Sequence, residues 1–197
     1  MDSVTTITKL VTRNCFIVSL DMKDTYYSVP VRTRDRKYLC FEWNGEFFQF
    51  TCLPNVLSSA PRKFTTVLKP PLAELRGRGH ISLAHLDDLY LQGQTNEQCV
   101  QNVIDTVLLL HNLGFIVQPL KSSLMPSQEI VILGFIINSV NMTVRLTEDK
   151  LGSLISSCTN LLVARVVGKL VSSFPGARYG PLYYRHLKRD INVWLSN

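Results

Sequence analysis

The sequence predicts an α+β fold in which an antiparallel sheet is backed by helices. Three observations carry that expectation. From Ile81 to Leu91 the apolar residues alternate, Ile81 and Leu83 before Asp87-Asp88 and Leu89 and Leu91 after it, which is the period of two half-buried strands meeting at a turn. Asn44-Gly45 lies between the apolar stretches Tyr38–Trp43 and Glu46–Thr51, and Asn-Gly between two such stretches is the strongest short-range hairpin signal. Two longer stretches, from Ser58 to Leu68 and from Asn96 to Leu113, place apolar residues at helical spacing.

Taken in order, Val4, Ile7, Leu10 and Val11 predict a short helix capped by Ser3. Cys15 to Leu20 is an apolar strand ending at Asp21. Arg32, Arg34, Arg36 and Lys37 precede the Asn44-Gly45 hairpin, whose aromatics Phe41, Trp43, Phe48 and Phe50 are expected in a half-buried sheet. For the arginines, contact with nucleic-acid phosphate and a solvated loop are equally good readings. Leu53 to Pro61 turns into a helix at Ser58-Ser59, with Pro61 in the first turn, Phe64, Val67 and Leu68 on one face, and Pro70-Pro71 ending or restarting it. After the Ile81–Leu91 hairpin, Val100, Val103, Ile104, Val107 and Leu108 mark a helix that covers the back of the sheet and stops near Leu113, with Gly114 as its C-cap. Ile130 to Ile137 reads as one buried strand, 138–141 as a turn and Thr143 to Leu146 as the return strand. Thr147 then caps a helix with an apolar stripe of Leu151, Leu154, Ile155, Cys158, Leu161 and Leu162.

With 197 residues, 46% of them hydrophobic, the chain can bury a core as one domain or one and a half. Lys plus Arg at 21 against Asp plus Glu at 15 gives a net charge of +6, which favours a polyanionic partner such as nucleic acid over an acidic one. Five widely spaced cysteines without a Cys-x-x-Cys pair argue against a disulfide framework and read as reduced core residues. No apolar run reaches membrane-spanning length, and the first residues lack the basic start and apolar block of a signal peptide, so the expectation is cytoplasm or nucleus with no membrane partner. The oligomeric state has no signal in the sequence.

Asp87-Asp88 places two like charges at a turn, an arrangement that solvation or a cation must relieve; Mg²⁺ prefers oxygen ligands. A solvated surface turn also accounts for the pair. If the strand ending at Asp21 lies beside the hairpin, three carboxylates converge, the cluster that two-metal phosphoryl chemistry needs. His85, at a strand end, reads as a packed, hydrogen-bonded histidine without a chemical role.

Leu20-Asp21-Met22-Lys23-Asp24-Thr25-Tyr26-Tyr27-Ser28-Val29-Pro30, then Leu53-Pro54-Asn55-Val56-Leu57-Ser58-Ser59-Ala60-Pro61, then His85-Leu86-Asp87-Asp88 resemble, in order and spacing, the successive palm motifs of retroelement reverse transcriptases. Gly114-Phe115 with Lys121-Ser122, the stretch Gln128-Glu129-Ile130 to Leu133-Gly134-Phe135, and Gly168–Gly176 with Tyr179–Arg185 resemble the DIRS-like branch, whose retrotransposons encode a tyrosine recombinase. The resemblance runs from about Asp2 to Asp190. It implies a polymerase palm with an antiparallel sheet backed by helices, partial fingers and a shortened helical thumb. Residues 1–14 would be a remnant of the fingers, 15–137 the palm with partial fingers (hairpin 37–52), and 138–197 the end of the primer-grip hairpin with a helical thumb or connection. With barely twenty residues ahead of Asp21, it also implies an N-terminally truncated chain.

The resemblance further implies template-directed DNA synthesis by two-metal nucleotidyl transfer. Asp21, Asp87 and Asp88 would hold two Mg²⁺, with Mn²⁺ as a substitute, and Lys121 would be the proton donor to the departing pyrophosphate. Met22, Lys23, Asp24, Thr25, Tyr26, Asn55 and Val56 would line the deoxynucleoside triphosphate, with Tyr26 excluding a ribose 2′-hydroxyl. The family carries glycine where this chain has Val56, a β-branched residue that adds bulk where backbone would approach the nucleotide. Arg32, Arg34, Arg36, Arg62, Lys63, Leu133, Gly134, Arg178 and Arg185 would meet an RNA or DNA template with its primer. Two other readings use the same residues: a noncatalytic remnant that binds nucleic acid through its basic face, and a two-metal nuclease, which would not require Tyr26 or the Leu53–Pro61 turn.

Overall fold

The computed structural model describes residues 4–159 and Lys169; the expectations for Arg178, Arg185 and the end of a shortened thumb lie outside them. The described chain divides into two units, one of Phe16–Pro126 and one of Val4–Cys15 with the residues from Ser127 onward.

The first unit is built on β1 (Phe16–Lys23), which pairs antiparallel with β5 (Asp88–Gly93); β5 in turn forms a hairpin with β4 (Ile81–His85). On the other edge β1 carries β6 (Ile116–Val117) and β7 (Ser123–Ser127). One face of β1 and β5, with Val18, Leu20, Met22, Leu89 and Leu91, packs with Phe64, Leu68, Leu72 and Leu75 of α2 (Ala60–Gly77) and with Cys99 and Leu110 of α3 (Asn96–Asn112). Burying each such leucine or phenylalanine contributes about 1.5–3 kcal/mol. The close approach of α3 to the sheet depends on Gly93, where an added Cβ would sit 2.3 Å from the Cys99 backbone nitrogen. The α+β expectation holds, and α3 starts and stops where expected, with Gly114 at φ +85°.

Three details of this unit depart from the sequence reading. The inner face of α3 is Cys99, Asn102, Thr106 and Leu110, whereas Val100, Ile104 and Leu108 are exposed. Asn102 is buried because its amide donates to the carbonyls of Ile81 (2.9 Å) and Gln92 (3.1 Å), tying the helix to both strands of the hairpin; Thr106 donates to the Asn102 side-chain oxygen. Helix α2 runs through Pro70-Pro71 without ending, because the carbonyls that lose their donors belong to Thr66 and Val67, both exposed to water. Finally, β2 (Cys40–Trp43) and β3 (Glu46–Gln49) do form a hairpin about Asn44 (φ 51°) and Gly45 (φ +80°), but every residue of both strands is exposed. The expected half-buried aromatic sheet is instead an open ribbon with Trp43 66% exposed, and Phe41 stacks on Phe48 with ring centroids 5.6 Å apart. Cys40 lies on this ribbon and is exposed, so it is not a core residue; Cys15 and Cys99 are.

In the second unit α1 (Val4–Leu10) buries Val4 and Ile7. The stretch expected as one strand is a hairpin of β8 (Glu129–Ile132) and β9 (Phe135–Asn138), followed by β10 (Thr143–Leu146). Leu133 (φ 53°) and Gly134 (φ +75°) form the two-residue turn. The first turn of α4 (Glu148–Thr159) holds that tip: Thr147 donates from its backbone and hydroxyl to the Gly134 carbonyl at 3.2 and 3.3 Å. Lys150 lies over the Phe135 ring at 3.8 Å, and burial lowers the pKa of its amine. Of the apolar stripe expected on α4, Leu154 is buried while Leu151 and Ile155 are exposed. No helix among the described residues is long and apolar enough to cross a membrane.

Candidate active site

The register of β1 against β5 sets Asp21 directly opposite Asp88, and opposed residues of an antiparallel pair present their side chains on one face. Asp87 occupies the second place of the two-residue turn between β4 and β5. The first place is Leu86 at φ 58°, a left-handed conformation that costs a non-glycine residue on the order of 1 kcal/mol. The Met22 amide donates to the Asp87 carbonyl at 3.0 Å and holds the turn against β1. The three aspartates singled out in the sequence are thus neighbours across two adjacent strands.

Their electrostatics follow from that placement. Burial, then the charge of Asp87, then that of Asp21 push the Asp88 carboxyl above its ordinary pKa, while His85, its partner across the hairpin, pulls it back. The donor set is carboxylate oxygen, with negative charge that His85 offsets only in part, which suits a hard divalent cation. Among the described residues no three Asp, Glu, His or Cys side chains lie close enough to hold an ion as they stand, so a bound cation would draw the carboxylates inward.

On its outer edge Asp21 is held twice. Its carbonyl accepts from the Gln118 amide at 2.8 Å, and its own amide donates to the Ser122 hydroxyl at 2.9 Å. Lys121 is on the same 118–122 turn, with its side chain exposed. The turn after Asp21 buries Met22 and Thr25 and exposes Lys23 and Asp24, the last at φ 52°. Tyr26 is half-buried: its ring meets Phe64 edge-on at 5.6 Å, Phe64 meets Phe115 edge-on at 6.0 Å, and burial followed by the Asp87 charge raises its phenol pKa.

Asn55 and Val56 lie on an exposed turn closed by the Leu57 amide on the Pro54 carbonyl; Val56 is 89% exposed and is not among the residues with positive φ, so this backbone does not require glycine. Arg32, Arg34, Arg62 and Lys63 are exposed, the last two on the first turn of α2. Arg36 is half-buried and donates from Nε to the Val31 carbonyl at 3.1 Å. Leu133 and Gly134 form the tip of the hairpin in the second unit. Sequence reasoning passed over Phe64, Gln118 and Ser122 as supports of the site. Only the helical spacing of Phe64 and the place of Ser122 beside Lys121 pointed toward them.

Residues 1–137 match the family model described as "Reverse transcriptase (RNA-dependent DNA polymerase)". The chain is 30% identical over 125 residues to the Gag-Pol polyprotein of avian reticuloendotheliosis virus, covering 59% of this chain and 11% of that one. It is 27% identical over 109 residues to the transposon Tf2-3 polyprotein of Schizosaccharomyces pombe, covering 55% of this chain and 8% of that one. It therefore spans about a tenth of the length of these relatives. Among solved structures, a foamy viral protease-reverse transcriptase in complex with double-stranded DNA superposes with a TM-score of 0.72 at 20% identity, over 88% of this chain and 30% of that one. That likeness shows a shared fold. With the family model matching well over half of its residues, the chain belongs to the reverse transcriptase family.

Proposed function

We propose that the chain is the polymerase domain of a retroelement of the DIRS-like branch and extends a primer by template-directed addition of deoxynucleotides. The observation that carries this reading is the register that sets Asp21 opposite Asp88, with Asp87 at the adjoining turn and Tyr26 beside it. In this reading Asp21, Asp87 and Asp88 would hold two Mg²⁺, whose chemistry would be Lewis-acid activation of the primer 3′-hydroxyl and neutralisation of the triphosphate charge. The 3′-hydroxyl gives its proton to solvent water and its oxygen bonds to the α-phosphorus as the bond to pyrophosphate breaks, and Lys121 supplies a proton to that leaving group. Tyr26, wedged by Phe64, stands where a 2′-hydroxyl would clash, and the backbone of Met22 to Thr25 with Asn55 and Val56 borders the triphosphate. Arg32, Arg34, Arg62 and Lys63 meet template phosphates, to which the partly engaged Arg36 adds less. The tip at Leu133-Gly134 grips the primer end. Complexes of foamy viral protease-reverse transcriptase with double-stranded DNA and with RNA/DNA hybrid support a primer-template as partner.

A second reading, a noncatalytic nucleic-acid binder, is favoured by the spread of the three carboxylates and by valine at position 56. Primer extension on a primed RNA template with Mg²⁺ and deoxynucleotides separates the two. The polymerase reading expects synthesis by the chain that falls by at least about a hundredfold in Asp87→Asn. Val56→Gly is expected to raise incorporation at low nucleotide concentration. Binding of the primed template with no extension by either the chain or Val56→Gly would establish the second reading.

A further inference from the structure

Strand β6 pairs with Met22 and Lys23 and ends there, and β7 resumes on the same edge of β1 from Ser123. Asp21 falls between them, where its amide faces no strand carbonyl. The Ser122 hydroxyl fills that place, accepting from the Asp21 amide at 2.9 Å and donating to the Gln118 carbonyl at 2.8 Å. The Gln118 amide donates to the Asp21 carbonyl at 2.8 Å, so three residues form a closed circuit of hydrogen bonds. The amides of Lys121 and Ser122 also converge on the Gln118 carbonyl, at 3.2 and 3.1 Å. The backbone carrying the first carboxylate and the turn carrying Lys121 are therefore one hydrogen-bonded body.

We propose that Ser122 is a positioning residue for Asp21: its hydroxyl fixes the backbone from which that carboxylate reaches a divalent cation, and it locks the Lys121 turn to the same point. This rests on the reading of the three aspartates as metal ligands. Groups that orient a ligand through one intervening bond typically change metal affinity by about 10–100-fold when removed. Alanine leaves a part-buried donor without its acceptor.

The test measures Mn²⁺ binding to the whole chain by electron paramagnetic resonance, together with hydrogen exchange at the Asp21 amide. The variants are Ser122→Ala, the volume-matched pair Ser122→Thr and Ser122→Val, Ser123→Ala, and Asp87→Asn. Mn²⁺ affinity is expected to fall about 10–100-fold in Ser122→Ala and Ser122→Val, to recover in Ser122→Thr and to be unchanged in Ser123→Ala, with Asp21 exchange accelerating only where the hydroxyl is lost. If Ser122→Ala fails to fold, the Thr and Val variants decide. Equal affinity in Thr and Val, alongside weakened binding in Asp87→Asn, would overturn the role of Ser122 and leave the metal site standing. If Asp87→Asn binds Mn²⁺ like the unaltered chain, the metal site itself falls and the proposal with it.

Discussion

Asp88 is the residue whose environment makes the sharpest statement. Its folded pKa lies above the unfolded value, so the fold favours its protonated form, and its charge opposes folding as pH rises through the carboxylate range. In metal-free buffer Asp88→Asn is expected to melt at a higher temperature than the unaltered chain at neutral pH, by a margin that solvent screening keeps under about 1 kcal/mol. The margin should shrink as pH falls below the ordinary carboxylate pKa, and added Mg²⁺ should narrow it from the other side. Thermal melts at several pH values check both. The aspartates were legible in the sequence because strand alternation exposes a pair of charges at a turn. Ser122 was not, because a serine that completes a strand ladder looks like any loop serine until the strand edge it serves is known.

At the level of elements, the β5–α3 junction is the least forgiving contact. A methyl at Gly93 would meet the Cys99 backbone nitrogen at 2.3 Å and its Cα at 2.7 Å, and backbone cannot swing aside as a flexible side chain can. Gly93→Ala is therefore expected to destabilise the first unit by about 3 kcal/mol, measured by denaturant unfolding. The same junction shows why helix boundaries were readable while the buried face was not. Thr95 caps α3 by accepting from the Gln98 amide, and Gly114 ends it, both local devices. The inward position of Asn102 depends on two strand carbonyls some ten and twenty residues away, which hydrophobic periodicity does not register. The Leu133-Gly134 turn was missed for a related reason: leucine at positive φ carries no turn signal, and the turn is held through the Gly134 carbonyl by Thr147, thirteen residues further along the chain.

Over the whole molecule the excess of basic residues and the exposed Arg32, Arg34, Arg62 and Lys63 make any nucleic-acid complex salt-sensitive. Affinity for a primed duplex is expected to fall linearly with log salt. The paired substitution Arg62→Ala, Lys63→Ala should lower that slope by roughly 1 for each phosphate no longer neutralised, uniformly across sequences; fluorescence anisotropy at graded salt measures it. The described cysteines give the two units separate clocks. Cys40 on the open ribbon should react with a maleimide at once, whereas Cys99 on the inner face of α3 and Cys15 in the second unit, both fully buried, can react only when their own unit opens. Mass spectrometry of the labelled chain over time would then report two lifetimes from one sample. A common lifetime for Cys99 and Cys15 would mean a single cooperative opening, and distinct lifetimes would mean that one half of the chain can breathe while the other stays shut.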